Sequence, residues 1–325
     1  MLRLSPFELL HPRTPAEAVA LLGRSDARLV SGGTDLLPAM KQRLCAPRVL
    51  VSLRDVEGLR GVRQTPGGLV IGAATRLQEI AEHPLIQKTV PVLAAAASRV
   101  ASPQVRNSGT LGGNLCLDTR CRYYNQSPLY REALGGCLKS GGDRCHVVAG
   151  GRSCVAALCA DTVPVLIALD AELDILGPRG ERLCPLEELY NTDGCDHLSL
   201  DRAELLRSVR IRRPTEATML AYRKWAVRDS IDFPLVSAAL RLEVRDRKLQ
   251  DGRVVAGVLG PRPRVISLSK LKAFPVGDEL AQRVAEEAYR GCKPLPNVPY
   301  DPEYRRIRLR VEVLRAAQSL FGGSL

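Results

Sequence analysis

Hydrophobic positions along this chain recur with two periods, and the switches between them mark out the elements. From Phe7 to Leu22 the sequence FELLHPRTPAEAVALL predicts a short amphipathic helix, with Thr14 as its cap, Pro15 at its first position and Glu17 three residues past the cap. A short apolar strand at Arg28 to Val30 follows, then a Gly-Gly turn. Thr34 and Asp35 lead into a helix containing Leu36, Leu37 and Met40. Arg48 to Leu53 reads as a buried strand. GGLVIGAATRLQEIAEH gives a strand and a helix capped at Thr75, and VPVLAAAASRVAS is helical. A second glycine turn spans Gly109 to Gly113. Beyond Asp161 come a helix through Val165 to Leu169, a strand at Glu172 to Leu176, and the strand ELLRSVRI.

Near Pro214 the first domain ends, and the pattern changes. LAYRKWAVRDSIDFPLVSAALRLEV pairs a charged strand with an apolar helix or strand, and RVVAGVLGPRPRVIS reads as strand and turn. ELAQRVAEEAYRGC and EYRRIRLRVEVLRAAQSLF are amphipathic helices. Arg305, Arg306, Arg308 and Arg310 are expected on a solvated face of the last one. Surface solvation is also the plain reading of Lys224. The class is α+β: residues 1–215 form one domain and residues 216–325 a smaller one.

One stretch breaks this regularity. Between Cys116 and Cys159 lie six of the ten cysteines. Cys121, Cys137, Cys145 and Cys154 are separated by 15, 7 and 8 residues in a segment rich in Gly, Arg and Ser, with little apolar material of its own. Four thiolates suit zinc or an iron-sulfur cluster. The wide gaps and the lack of a C-x2-C pair favour the cluster over zinc. Disulfides or plain buried thiols are the structural alternative. Cys116 and Cys159 read as packing residues. Residues 119–158 read as an insertion, because deleting them leaves a continuous alternating design.

Composition narrows the function further. At 325 residues the chain accommodates two cores. No run of about 18 apolar residues and no signal-type start appear, so a cytoplasmic setting, where thiols stay reduced, is expected. The net charge of +12 is spread along the length, and aromatics are 4% of residues, so a nucleic-acid partner is disfavoured. An acidic redox protein or a phosphate-bearing cofactor makes better use of that charge. Strand, glycine turn and helix start at Ser31 to Asp35 make a phosphate cradle. The second glycine loop, with Thr110 and Asn114, strengthens a dinucleotide reading. Neither loop fits G-x-G-x-x-G, so a Rossmann NAD fold is not expected.

GGTDLLP, TLGGNLC, ADTVP and YRKWAVRDSIDFP, in that order, resemble the flavoprotein subunits of the xanthine oxidase and carbon monoxide dehydrogenase family. DTRCRYYNQS followed by three more cysteines is similar to the β subunits of 4-hydroxybenzoyl-CoA reductases, whose FAD domain carries an extra loop for a 4Fe-4S cluster. The resemblance implies a two-subdomain FAD-binding domain of the vanillyl-alcohol oxidase type with an iron-sulfur insertion, then a C-terminal domain of the CO dehydrogenase flavoprotein type. It implies FAD contacts at Leu29, Val30, Ser31, Gly32, Gly33, Thr34, Asp35 and Leu36, and at Thr110, Gly113, Asn114, Asp161 and Lys224. Ala101 and Asp118 are further flavin neighbours, and Cys121, Cys137, Cys145 and Cys154 are the cluster ligands. The implied partners are a molybdenum-cofactor subunit, a 2Fe-2S subunit and ferredoxin as donor, in a dimerised heterotrimer without nucleic acid or membrane. The implied activity is electron transfer towards reductive dehydroxylation of 4-hydroxybenzoyl-CoA at molybdenum in another chain, so no catalytic residue is expected here. A flavin subunit of a related molybdenum hydroxylase acting on another aromatic compound is the alternative. A zinc-stabilised binding module is the alternative from a different class.

Overall fold

Val49 to Ser52 is buried at all four positions because the strand is covered on both faces, as the middle of a parallel sheet must be. A computed structural model describes residues 3–322. Its first unit comprises β1 (Glu8–Leu10), α1 (Pro15–Leu22), β2 (Ala27–Val30), α2 (Leu36–Lys41) and β3 (Val49–Ser52), with the parallel order β1-β3-β2. α1 lays Ala18, Val19 and Leu22 on this sheet. The expected capping box is present: Glu17 N–H donates to Thr14 Oγ1 at 3.2 Å, and Arg13 N–H donates to the Glu17 carboxylate at 2.7 Å.

The second unit is a five-stranded antiparallel sheet of β4 (Val62–Thr65), β5 (Gly68–Gly72), β6 (Glu172–Gly177), β7 (Gly180–Pro185) and β8 (Leu205–Arg212), ordered β4-β5-β8-β6-β7. Between β5 and β6 run α3 (Leu77–Glu82), α4 (Pro84–Thr89), α5 (Pro91–Ser98), α6 (Pro103–Arg106), α7 (Leu111–Leu115), α8 (Pro128–Ala133) and α9 (Thr162–Ala168). α1, α4, α5, α6 and α8 each begin on proline, whose missing N–H is no loss at a helix start. Two local expectations are corrected here. Arg76, not Thr75, caps α3, because the Thr75 hydroxyl is engaged by Gly61 N–H at 2.9 Å across the loop. Gly112 and Gly113 are not a turn but part of α7, with Thr110 Oγ1 accepting from Gly113 N–H at 3.2 Å as its cap. A side chain at Gly112 would lie 2.9 Å from Ala73 Cβ, so glycine is there for close packing.

The remaining chain forms β9 (Thr218–Trp225), β10 (Val236–Arg245), β11 (Lys248–Gly257) and β12 (Arg264–Ser267), in the order β12-β11-β10-β9, with α10 (Asp278–Gly291) and α11 (Pro302–Leu320) on one face. Ala238, Leu240 and Leu242 of β10 face those helices, while Ala239 and Val255 join the core around α9. Burial on both faces makes β10 an unbroken apolar run, which is why sequence alone left it between helix and strand. Arg305 corrects the expected solvated face of α11. It is fully buried, its guanidinium donating to Leu235 O, Leu295 O and Val258 O, so three orphan carbonyls dictate its place.

Candidate functional site

A cavity of about 250 Å³ opens where the parallel sheet, α7, α9 and the β9–β10 loop meet. All eight residues from Leu29 to Leu36 line it, together with Ala101, Thr110, Gly113, Asn114 and Asp161. The two glycine loops touch: Thr110 donates its hydroxyl to Ser31 Oγ at 3.0 Å. At Gly32 a Cβ would fall 1.9 Å from Ser108 O, so only glycine lets the loops approach this closely. Gly33 has φ +69, the left-handed region that turns the chain from β2 towards α2. The Asn114 carbonyl oxygen accepts from Thr162 Oγ1 at 2.6 Å and fixes α7 against α9.

Asp161 is 2% exposed, just before α9. Tyr222 OH donates to its Oδ1 at 2.7 Å, and Lys224 Nζ lies 3.1 Å from its Oδ2. Burial raises the Asp161 carboxyl, against the opposing pull of Lys224 and Tyr222. Lys224 is 5% exposed, which removes the plain surface reading. It does not line the cavity; it stands behind Asp161, also donating to Arg99 O at 2.7 Å and Asp232 O at 3.0 Å. Asp118 is likewise outside the cavity wall and pairs with Lys139 Nζ at 2.7 Å.

Sequence reading quoted the β9–β10 loop within the motif YRKWAVRDSIDFP but assigned no cavity role to its Ile231, Asp232 or Phe233. Ile231, Asp232 and Phe233 close one side of the cavity, and Ile231 N–H donates to Ala101 O at 2.8 Å. Ala101 and Ile231 both have positive φ (+42 and +66), a strained arrangement for a methyl-bearing and a β-branched residue. Cys116 and Cys159 line the same cavity, and burial pushes each thiol up to about 12, so they are packed, protonated walls.

The cysteine segment leaves and re-enters the fold at one neck, where Arg120 and Ala157 form an antiparallel bridge with N–H to O distances of 2.8 and 2.7 Å. Inside it Cys121, Cys137, Cys145 and Cys154 line one small pocket with Tyr123, Tyr124 and Val147. Cys121 and Cys154 are 8% and 7% exposed. Two of the sulfurs accept hydrogen bonds: Ala156 N–H reaches Cys154 Sγ at 3.5 Å and Ser140 Oγ reaches Cys137 Sγ at 3.4 Å. Lys139 is drawn to the neck, where it also donates to Thr119 Oγ1 and Gly194 O. Among the described residues no three His, Cys, Asp or Glu side chains are close enough to hold one metal ion. An iron-sulfur cube offers a separate iron to each thiolate, so its ligands stand further apart than those of a single ion. Four thiols are the donor type that either zinc or such a cube would take. Cys195, passed over in sequence, lies against Cys154 because the Asp193 carboxylate accepts from both backbone N–H groups.

A family model described as the FAD binding domain in molybdopterin dehydrogenase matches residues 5–214, and one described as the CO dehydrogenase flavoprotein C-terminal domain matches residues 221–320. The chain is 28% identical to the carbon monoxide dehydrogenase medium chain of Hydrogenophaga pseudoflava, over 95% of each. It is 33% identical to the aldehyde oxidoreductase FAD-binding subunit of Escherichia coli, over 77% of this chain and 80% of that one. A solved carbon monoxide dehydrogenase from H. pseudoflava, lacking the Mo-pyranopterin moiety of its molybdenum cofactor, superposes with TM-score 0.80 at 26% identity and 99% coverage of both chains.

Proposed function

The chain belongs to the FAD-binding medium subunits of the xanthine oxidase and carbon monoxide dehydrogenase family, and on that premise we propose that it is the electron-entry subunit of a molybdenum-containing reductase of the 4-hydroxybenzoyl-CoA type. It is a flavoprotein subunit of an oxidoreductase. FAD is assigned to the 250 Å³ cavity, with its pyrophosphate at Ser31 to Asp35 and Thr110 to Asn114, and Asp161 towards its sugar hydroxyls. The buried polar lining, and the close loop approach that Gly32 permits, support that assignment.

One observation carries the finer reading. Four cysteines spread over residues 121–154 line a single pocket, and the Arg120 side chain at its neck reaches Asp35 and Phe233 of the cavity wall. Bound there, a 4Fe-4S cluster would supply one-electron relay to a flavin that accepts one or two electrons. This chain's residues would hold the thiolates, donate N–H groups to sulfur and exclude water with Tyr123, Tyr124 and Val147. Molybdenum and the 2Fe-2S clusters belong to partner subunits, because the other six cysteines form no second ligand set in sequence. A reduced, acidic ferredoxin is the donor that suits a chain of charge +12. Dehydroxylation to benzoyl-CoA would take place in the molybdenum subunit.

A second reading, the flavin subunit of a molybdenum hydroxylase without a cluster of its own, is favoured by the lack of a tight metal-holding group among the described residues. The two readings separate on composition. Anaerobic purification of the full chain, with flavin and iron analysis, is expected to give about one FAD and four irons. FAD with less than one iron, after attempted reconstitution, selects the second reading.

A further inference from the structure

We propose that Arg120 is a positioning residue that sets the redox balance of the flavin from behind the cavity wall. Its backbone precedes Cys121 and pairs with Ala157 at the neck of the cysteine segment. Its side chain points the other way. Nη2 is paired with the Asp35 carboxylate, and the guanidinium carbon lies 4.0 Å over the Phe233 ring centroid. Asp35 and Phe233 both line the large cavity, on opposite loops. The Arg120 side chain is about three-quarters buried, at 25% exposure, and its Nε is buried with no hydrogen-bond partner.

Three consequences follow from that placement. A cation stacked on a ring and locked to a carboxylate ties the first glycine loop to the β9–β10 loop, so it fixes the spacing of two cavity walls. A positive charge of low solvent exposure behind the wall lowers the cost of negative charge within the cavity, and reduced flavin is more negative than oxidised flavin. Removing the guanidinium also leaves the half-buried Asp35 carboxylate without its cation, which acts in the same direction. Arg120 therefore holds the flavin couple towards reduction.

The test measures the midpoint potential of bound FAD in the full chain, in parent, Arg120→Gln, Arg120→Lys and Asp35→Asn. For Arg120→Gln the reduced-to-oxidised ratio at fixed potential is expected to fall roughly tenfold, about 30 mV for a two-electron couple. Arg120→Lys, which keeps the charge, stays within threefold of the parent. Asp35→Asn, which frees the cation, shifts the ratio upward. An unchanged potential in flavin-bearing Arg120→Gln, or equal shifts in the Gln and Lys variants, overturns the inference. Where Arg120→Gln does not retain FAD, Asp35→Asn decides, and no upward shift overturns it. The inference rests on FAD occupying the large cavity and not on iron in the small one. An iron-free parent sinks the cluster reading and leaves this test intact, whereas a parent without FAD sinks this inference along with the cavity assignment.

Discussion

Gly32→Ala is expected to strip FAD from the chain. The added methyl would sit 1.9 Å from Ser108 O, 2.6 Å from Ser108 C and 2.9 Å from Gly109 Cα. All three atoms are backbone, so no side chain can rotate away, and the two glycine loops must separate. Overpacking of this kind costs about 1–3 kcal/mol, which corresponds to roughly one or two decades in affinity if the strain falls on the bound state. The Thr110 to Ser31 bond across the loops would be lost as well. Gly113→Ala is the control, since its methyl meets only the Thr110 hydroxyl, at 3.1 Å. The measurement is FAD content after purification and the dissociation constant by flavin fluorescence. Full occupancy with parent affinity in Gly32→Ala would show that FAD does not lie between these loops.

That experiment turns on a feature the sequence displayed in part. Gly-Gly after a strand announced a close approach, but not which backbone it approaches. Ser108 lies far along the chain, and hydrophobic periods report which face of an element is covered, not by what. The same limit explains the other differences. β2, β3, β5, β6 and β8 were legible from their apolar runs and α1 from its local cap at Thr14 and Glu17, whereas Glu8–Leu10, read as part of the first helix, is strand β1, and β4 and β7 were not read. Arg305 was misplaced because three carbonyls from distant segments hold it. The β9–β10 loop was quoted as part of a family motif, but its place on the cavity wall was not read, because DSIDF carries no periodic signal and its strain at Ile231 exists only once Ala101 O is within reach. For the thiols, spacing drew attention to four cysteines but could not show Cys195 beside Cys154, since Asp193 brings it there.

Lys224→Met is expected to destabilise the protein by about 3–5 kcal/mol, the usual result of removing one partner of a buried ion pair. Lys224 and Asp161 side chains are 5% and 3% exposed, and the three Nζ donors are matched to Asp161, Arg99 O and Asp232 O. Methionine fills much of the volume, so the loss is electrostatic: two carbonyls and a carboxylate lose their donor, and Tyr222 OH alone remains on Asp161. Burial already raises the Asp161 carboxyl above its ordinary 3.8, and without the ammonium it rises further. A carboxyl raised in the folded state is stable while protonated, so its contribution is present at acid pH and lost as pH climbs through the raised value. The deficit of Lys224→Met relative to the parent should therefore be smallest near the ordinary carboxylate range and grow towards neutral pH. Adding Asp161→Asn removes the orphaned charge and should recover part of the loss, with a coupling of about 0.5–3 kcal/mol. Urea midpoints of parent, both single variants and the double variant at two pH values measure all of this. A Lys224→Met variant within about 1 kcal/mol of the parent at neutral pH would mean that water reaches the pair and that the wall behind the cavity is open.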